Sequence, residues 1–365
     1  MIDIEEPVLS TKEGWERYVN TPAPEAPDRL RTNEIRGLSE AARQEYNDRR
    51  AAYHANIGPL KTPQLTAVYD ELNVILKANQ QTNDKAKGIV AIDGPAGVGK
   101  TTTMFAYGRD FHRAQLSTYG PQTSGGHQRW PVCRVGLTGN PTVLDFSKSL
   151  LGFFAHPGER GNSRAFAMQT LDLITHCGTK LLIVDDFHFI RPRFKHALDV
   201  SNQLKFIAND FPVTIVVIGV GLTERGVFAE GTASGDERFA QLLRRTTVLP
   251  VERFTHAPNN TRDAWHTLLV AIEARLILAN KRPGMLADDL TDYLYDRTGG
   301  YIGSLMTLIQ RGCVRAVDTG HERLTKALLE PIHLDLAAEK DRTPPRDRRK
   351  RQTTPRRKPR TGQVA

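Results

Sequence analysis

The sequence predicts an α/β fold, a parallel sheet with a glycine-rich loop between one strand and the helix after it, and a helical lid at the C-terminal side. Three observations predict it. Short apolar runs alternate with helical patterns from residue 62 to about residue 250. One of those runs passes through a glycine-rich loop directly into a helix. Beyond Pro258 the apolar periodicity is helical throughout.

The elements follow in order. Residues 1–60 read as a polar, helix-prone N-terminal arm. Within it, Ser10-Thr11-Lys12-Glu13 resembles a capping box opening a short helix around Trp15 and Tyr18. Pro22, Pro24 and Pro27 break the chain before a charged helix near 38–55. With too few apolar residues for a core of its own, the arm is expected to pack on the body or on a neighbouring subunit. The core, residues 61–255, reads as helix 63–78, strand 88–93, loop and helix 94–113, and strand 132–137. Helices 141–155 and 163–177, strand 180–185, helix 194–210, strand 213–218, helix 236–245 and strand 246–250 complete it. The lid, residues 256–338, reads as helices 260–280, 286–298, 302–319 and 322–338. The tail, residues 339–365, is rich in Pro and Arg and is expected to be disordered.

Composition narrows the function classes. The chain has 365 residues, 39% hydrophobic and 25% charged, as in a globular protein. Its longest apolar run, residues 213–222, is half a membrane span, which argues against a membrane protein. The acidic start, MIDIEEP, has no apolar leader segment. Cys133, Cys177 and Cys313 are scattered without metal-ligand spacing, so they read as buried thiols in a reducing cytoplasm. The net charge is +9, and residues 341–365 hold +8 of it, with ten Arg and Lys against two Asp. The body is therefore nearly neutral.

The chemistry is carried first by Gly94, Pro95, Ala96, Gly97, Val98, Gly99, Lys100 and Thr101, which fit G-x-x-x-x-G-K-[ST] without a mismatch. Glycines let successive backbone N–H groups turn towards phosphates, and the helix N-terminus adds partial positive charge. Lys100 is expected to reach the β- and γ-phosphates of ATP, and the Thr101 hydroxyl to coordinate Mg²⁺, with Thr102 beside it in the first helical turn. The second motif is Leu181-Leu182-Ile183-Val184-Asp185-Asp186, an apolar strand ending in two carboxylates. Asp185 is expected to hold the Mg²⁺ shell and Asp186 to orient and deprotonate the attacking water, at a site shared by adjacent strands. Most ATPases of this kind carry Glu at the second position, so the shorter Asp186 predicts slow hydrolysis with intact binding.

These motifs, with the lid, make the chain resemble the AAA+ ATPases, and more narrowly the TniB/TnsC/MuB group of transposition ATPases. The narrower resemblance rests on His188, on Asn202-Gln203-Leu204-Lys205-Phe206-Ile207-Ala208-Asn209 leading to Phe211-Pro212-Val213, and on Gly219-Val220-Gly221-Leu222-Thr223-Glu224. Gln241-Leu242-Leu243-Arg244-Arg245 before Leu249-Pro250 completes it. It covers about residues 60–335. It implies that Arg245 or Arg244 is an arginine finger acting in a neighbouring subunit's site and that Thr223 is a polar sensor. Gly299-Gly300-Tyr301-Ile302-Gly303-Ser304 stands where many AAA+ lids carry a sensor arginine, and none is present there; Arg311 or Arg315 is a substitute further along.

The function implied is an ATP-dependent regulator of transposition that forms a homo-oligomeric ring or filament on double-stranded DNA and recruits a transposase. Orc- or IstB-type replication initiators and helicase loaders share much of the outline, and a STAND-like signalling switch that binds no DNA is a third reading. Basic segments that suit sequence-independent DNA contact are Arg113, His127, Arg129 and Trp130; then Arg191, Arg193, Lys195 and His196; then the tail, with Arg348, Arg349, Lys350 and Arg351. Trp130 offers a stacking surface, although a Trp-Pro pair more often packs beneath a loop.

Overall fold

The computed structural model describes residues 7–80, 87–137, 139, 142–156, 162–189, 207–209, 211–224, 244–256 and 263–341. Helices α1 (Lys12–Asn20), α2 (Thr32–Gly37), α3 (Glu40–Ala55) and α4 (Pro63–Ala78) lead into strand β1 (Ile89–Asp93) and helix α5 (Lys100–Tyr119). Next come β2 (Val132–Gly136), α6 (Val143–Phe153), α7 (Ser163–His176), β3 (Leu181–Asp185), β4 (Thr214–Ile218) and β5 (Thr246–Pro250). The lid holds α8 (Ala264–Arg275), α9 (Thr291–Thr298), α10 (Ile302–Asp318), α11 (Lys326–Leu329) and α12 (Leu336–Asp341).

The five strands form one sheet in the order β2-β3-β4-β1-β5, every pair parallel. Composition explains the order. β1, β3 and β4 are buried at every residue, as strands covered on both faces must be, and they occupy the centre. β5, half exposed and ending in Pro250, lies at an edge, where a missing N–H leaves no ladder bond unmade. One expectation fails here. The phosphate loop and the acidic motif do not lie on adjacent strands, because β4 inserts between β1 and β3.

Two hydrophobic clusters form. One joins the sheet with α1, α4, α5 and α6; the other gathers the lid helices around Trp265, Leu305 and Leu308. The chain crosses between them just after β5, since Val251 belongs to the first cluster and Phe254 to the second.

The N-terminal residues bury more than their polarity suggests. Trp15 is fully buried, and its indole N–H donates to Nδ1 of His112 on α5 at 3.1 Å. Arg113, read above as a DNA contact, donates from Nε to the Val19 carbonyl at 2.6 Å and clamps α1 instead. The helix is capped by Thr11, whose side chain accepts from Gly14 N–H, not by Ser10 with Glu13. At the other end of the arm, α3 packs on α10 of the lid. There Arg50, 1% exposed, pairs with Glu322 at 2.7 Å, and His54 Nε2 accepts from Ile277 N–H at 2.9 Å.

Four helices differ from expectation: α8 ends at Arg275, short of residue 280, α9 begins at Thr291 and not at residue 286, and two others change further. α5 runs on to Tyr119 because the polar stretch after Arg113 is the solvent-facing end of a helix, not a loop. The last lid helix is two short ones, α11 and α12, separated around Pro331, whose ring cannot continue a helix. No described helix is long and apolar enough to cross a membrane.

Candidate functional site

Residues 94–101 leave the C-terminal end of β1 and enter α5 through Gly99, whose φ of 87° is the left-handed conformation glycine adopts without penalty. Gly94 is required for a second reason: a Cβ there would lie 2.0 Å from the Val251 carbonyl oxygen, against the end of β5. Pro95, Ala96 and Gly97 form the exposed crest of the loop, while Val98 is buried beneath it. Thr102 is exposed in the first turn of α5. The Lys100 ammonium, 7% exposed, folds back to the carbonyls of Gly94 at 2.8 Å and Pro95 at 2.6 Å. Burial lowers its pKa, and the carboxylates of Asp93 and Asp185 act in the opposite direction.

Thr101 and Asp185 meet despite the intervening strand. α5 crosses over the sheet, so the Thr101 hydroxyl donates to Asp185 Oδ1 at 3.2 Å. The same oxygen accepts from Asp186 N–H at 2.9 Å, and Oδ2 lies 3.5 Å from Arg134 Nη2. Burial raises the Asp185 pKa, against the lowering influence of the Asp186 N–H and Arg134. An oxygen-only pair at the mouth of a phosphate loop suits a hard divalent cation that shares its shell with phosphate. No described group of three or more His, Cys, Asp and Glu could hold a metal alone. Mg²⁺ here would therefore be held by Thr101, Asp185 and the nucleotide together. Asp186 follows with φ 58°, half exposed, with Oδ1 at 4.0 Å from His188 Nδ1.

Three contributors to the site were not read from the sequence. Asp93, at the end of β1, accepts from Gly94 N–H and Leu222 N–H at 2.8 Å and from Thr223 N–H at 2.9 Å. Burial pushes the Asp93 pKa up, but the bonds from Thr223, Leu222 and Gly94 outweigh it and hold the carboxyl below its usual range. Thr223 is thus positioned beside the loop with its side chain engaged by Asp93. Arg134, on β2, sits between Asp185 and the Phe105 ring, 4.7 Å from the ring centroid. Its signal was available as a charged residue inside an apolar strand. The third is the lid: Gly303 N–H, at the start of α10, donates to the Gly97 carbonyl at 2.9 Å. The glycine-rich lid segment therefore rests on the phosphate loop itself. Arg311 does not join it there, because its guanidinium is bonded to the His333 carbonyl, and Arg315 lies further along the same helix.

Arg244 and Arg245 occupy the opposite end of the sheet. Ile89 N–H donates to the Arg245 carbonyl at 2.8 Å, so Arg245 stands at the start of β1, four residue steps or about 13 Å from Asp93. Its side chain bonds Asn209 Oδ1 at 2.6 Å, while Arg244 is exposed. Neither reaches this chain's own phosphate loop. Arg129 bonds the carbonyls of Gly120 and Gln122, both at 2.9 Å. Trp130 is 2% exposed and packed against His112 and Phe153, so it offers no stacking face. Arg191, Arg193, Lys195, Arg348, Arg349, Lys350 and Arg351 lie outside the described residues, as does most of the 202–209 motif.

Residues 50–245, more than half of the chain, match the family model described as bacterial TniB protein. No curated protein matches the sequence significantly. Among solved structures, the ORC2 protein of Aeropyrum pernix, in ADPNP–ADP complexes, aligns at TM-score 0.54 and 12% identity over 76% of this chain and 69% of that one. The ORC1 protein of the same organism, in complex with DNA, aligns at 0.50 and 16% identity over 79% and 67%. Drosophila ORC bound to DNA aligns at 0.50 and 13% identity over 85% and 69%. At these identities the likeness is one of fold, the P-loop AAA+ fold.

Proposed function

The chain belongs to the bacterial TniB family and is an ATPase of the AAA+ class, and from that membership we propose that it is an ATP-dependent DNA-binding regulator of transposition. It binds Mg-ATP between the phosphate loop and the lid, assembles as a homo-oligomer on double-stranded DNA, and recruits a transposase to that DNA. The observation that carries the reading is the family match, which spans the phosphate loop, both carboxylates of the acidic motif and the Arg244-Arg245 pair.

The geometry supports a division of roles. Lys100 and the loop N–H groups bind phosphate; Thr101 and Asp185 hold Mg²⁺, which supplies charge neutralisation of the phosphates when bound. Asp186 orients and deprotonates the attacking water. Arg245, with Arg244 beside it, completes a neighbouring subunit's site, because its position at the far end of the sheet excludes its own. The Gly303–Gly97 bond gives the lid a direct way to register what the loop holds.

The replication-initiator reading rests on the Orc structures, which share the fold alone at 12–16% identity. The test is assembly on mixed-sequence duplex DNA, followed by electron microscopy and by retention of a DDE-type transposase on the assembled DNA. Assemblies that need both ATP and DNA and that retain the transposase are expected. Failure to bind DNA in low salt with ATP would instead favour a nucleotide-operated protein switch.

A further inference from the structure

The end of the sheet remote from the nucleotide carries a groove of about 390 Å³ between the C-terminal ends of α4 and α5. Lys87, Lys180 and Arg129 line it, with Tyr119, Phe111 and Pro212 among the other walls, and no described acidic residue does. Among the described residues the buried Arg50 pairs with Glu322 and the half-buried Arg134 with Asp185, whereas the buried Lys100 is held by backbone carbonyls. Among the described residues, the partner recorded for the Lys87 ammonium is the Phe211 carbonyl, at 3.2 Å. Burial lowers its pKa, and the positive charge of Lys180 lowers it further. Lys180 itself is exposed.

Arg129 adds a fixed, flat cation. Its two carbonyl bonds hold it over the Tyr119 ring, 5.6 Å from the centroid, and that ring is 59% exposed. The groove is continuous with the arginine pair: Asn79 in its wall bonds both N–H and C=O of Gly88, and the neighbouring Ile89 N–H is held by Arg245. Lysines drawn from separate elements, with no acidic side chain among the described residues that line the groove, beside an open aromatic face, match a sugar–phosphate backbone. A phosphate accepts from an ammonium in many directions and gains by counterion release, while the aromatic face meets sugars or unpaired bases.

We propose that this groove is a contact site for the phosphate backbone of DNA, with Lys87 and Lys180 as phosphate ligands and the Arg129–Tyr119 pair as its flank. The proposal rests on the reading of the chain as a DNA-binding protein and gives that DNA a place on the folded body. It also sets the DNA beside Arg245, so that DNA binding and subunit contact share one end of the sheet.

Fluorescence anisotropy of a labelled mixed-sequence duplex, titrated with full-length protein and ATP at several salt concentrations, tests it. The log–log salt slope should become shallower by about 0.9 in Lys180→Ala and by about 1.8 in Lys87→Ala/Lys180→Ala, with weaker binding to every sequence. Affinity for a fluorescent ATP analogue should stay at the wild-type value, showing that the variants are folded. Wild-type slopes in both variants, with DNA still bound, would overturn the groove while leaving the DNA reading intact. A wild-type protein that binds no DNA removes both. Loss of polyglutamate binding in the variants, with the DNA slope unchanged, would give the groove to an acidic protein partner and equally overturn the proposal.

Discussion

The two ends of the sheet are built from opposite electrostatic materials. At the C-terminal ends of the strands, Asp93 and Asp185 lie near Lys100, Asp185 also lies by Arg134, and Asp186 follows beside His188, so charges of both signs meet inside the molecule. At the N-terminal ends, Lys87, Lys180, Arg129, Arg244 and Arg245 gather, and the side-chain partners described for them are carbonyls and amides. A parallel sheet makes this segregation natural. Every strand ends on the same side, so loops that deliver carboxylates converge there, and the opposite side collects what remains. The first end gathers what this subunit itself brings to the nucleotide. At the second, no described acidic side chain pairs with these cations, and on the reading above other molecules supply the anions: a neighbour's nucleotide for Arg245 and DNA for the lysines.

The largest expected effect breaks the link between the ends of two subunits. Arg245→Ala should bind ATP normally yet lose about 10³- to 10⁵-fold in assembly-dependent hydrolysis, the range of an arginine finger. Arg244→Ala is the comparison, and mixing Arg245→Ala with Lys100→Ala protein should restore turnover at mixed interfaces. Wild-type turnover per subunit that does not change with protein concentration would count against any action in trans.

Next comes Asp186, which separates binding from turnover at the nucleotide end. Asp186→Asn removes the base and should cost about 10²- to 10⁴-fold in hydrolysis while ATP affinity stays. Asp186→Glu, one methylene longer, should raise turnover. Hydrolysis at the wild-type rate in Asp186→Asn would place the base elsewhere.

How much of this was legible differs between the two ends as well. The meeting of the glycine loop with Asp185 was legible, because glycines, a lysine and a strand-end carboxylate form compact local patterns. The insertion of β4 between β1 and β3 was not legible, since strand order depends on crossovers that leave no local pattern. Asp93 was hidden as the last residue of an apolar strand, although it holds three backbone N–H groups from two loops. The arm packs on the body, one of the two places expected for it, but the residues that dock it were hidden for a similar reason. Its average polarity is high, yet its docking is concentrated in Trp15, His54 and Arg50, each bonded to a partner 97 or more residues away.

Those docking points give a third prediction, about whether the two ends share one rigid frame. His112 on α5 and His54 beside the lid each accept one N–H on a buried, neutral ring, and burial lowers both pKa values from 6.5 to about 4. Arg50 and Lys281 add to the lowering at His54. Below pH 6.5 the unfolded chain takes up protons that the native rings refuse, so stability is full above that value and falls towards pH 4. The loss is about 3 kcal/mol at most for each ring. Urea melts across this window should show it, and His112→Gln, which keeps an acceptor for Trp15 without titrating, should flatten the profile. A flat wild-type profile would mean that the rings are not buried and neutral.

The smallest effect tests whether the ends work independently before assembly. Lys100 is the one cation at the nucleotide end that this structure shows tied to the loop's own carbonyls, Gly94 and Pro95. A bound nucleotide would draw the ammonium from those carbonyls to the phosphates, so its net contribution to binding is smaller than that of a charge waiting unpaired. Lys100→Ala should therefore weaken ATP by at least about tenfold, or about 1.4 kcal/mol, when measured by calorimetry. The lysine groove lies at the other end of β1, so whatever weak DNA binding the wild type shows in low salt without nucleotide should keep its affinity and salt slope in the same variant. Retained ATP affinity would remove Lys100 from the phosphate site. A changed DNA slope without nucleotide would show that the two ends communicate within one subunit, with β1, which joins Asp93 to Ile89, as the shortest covalent route.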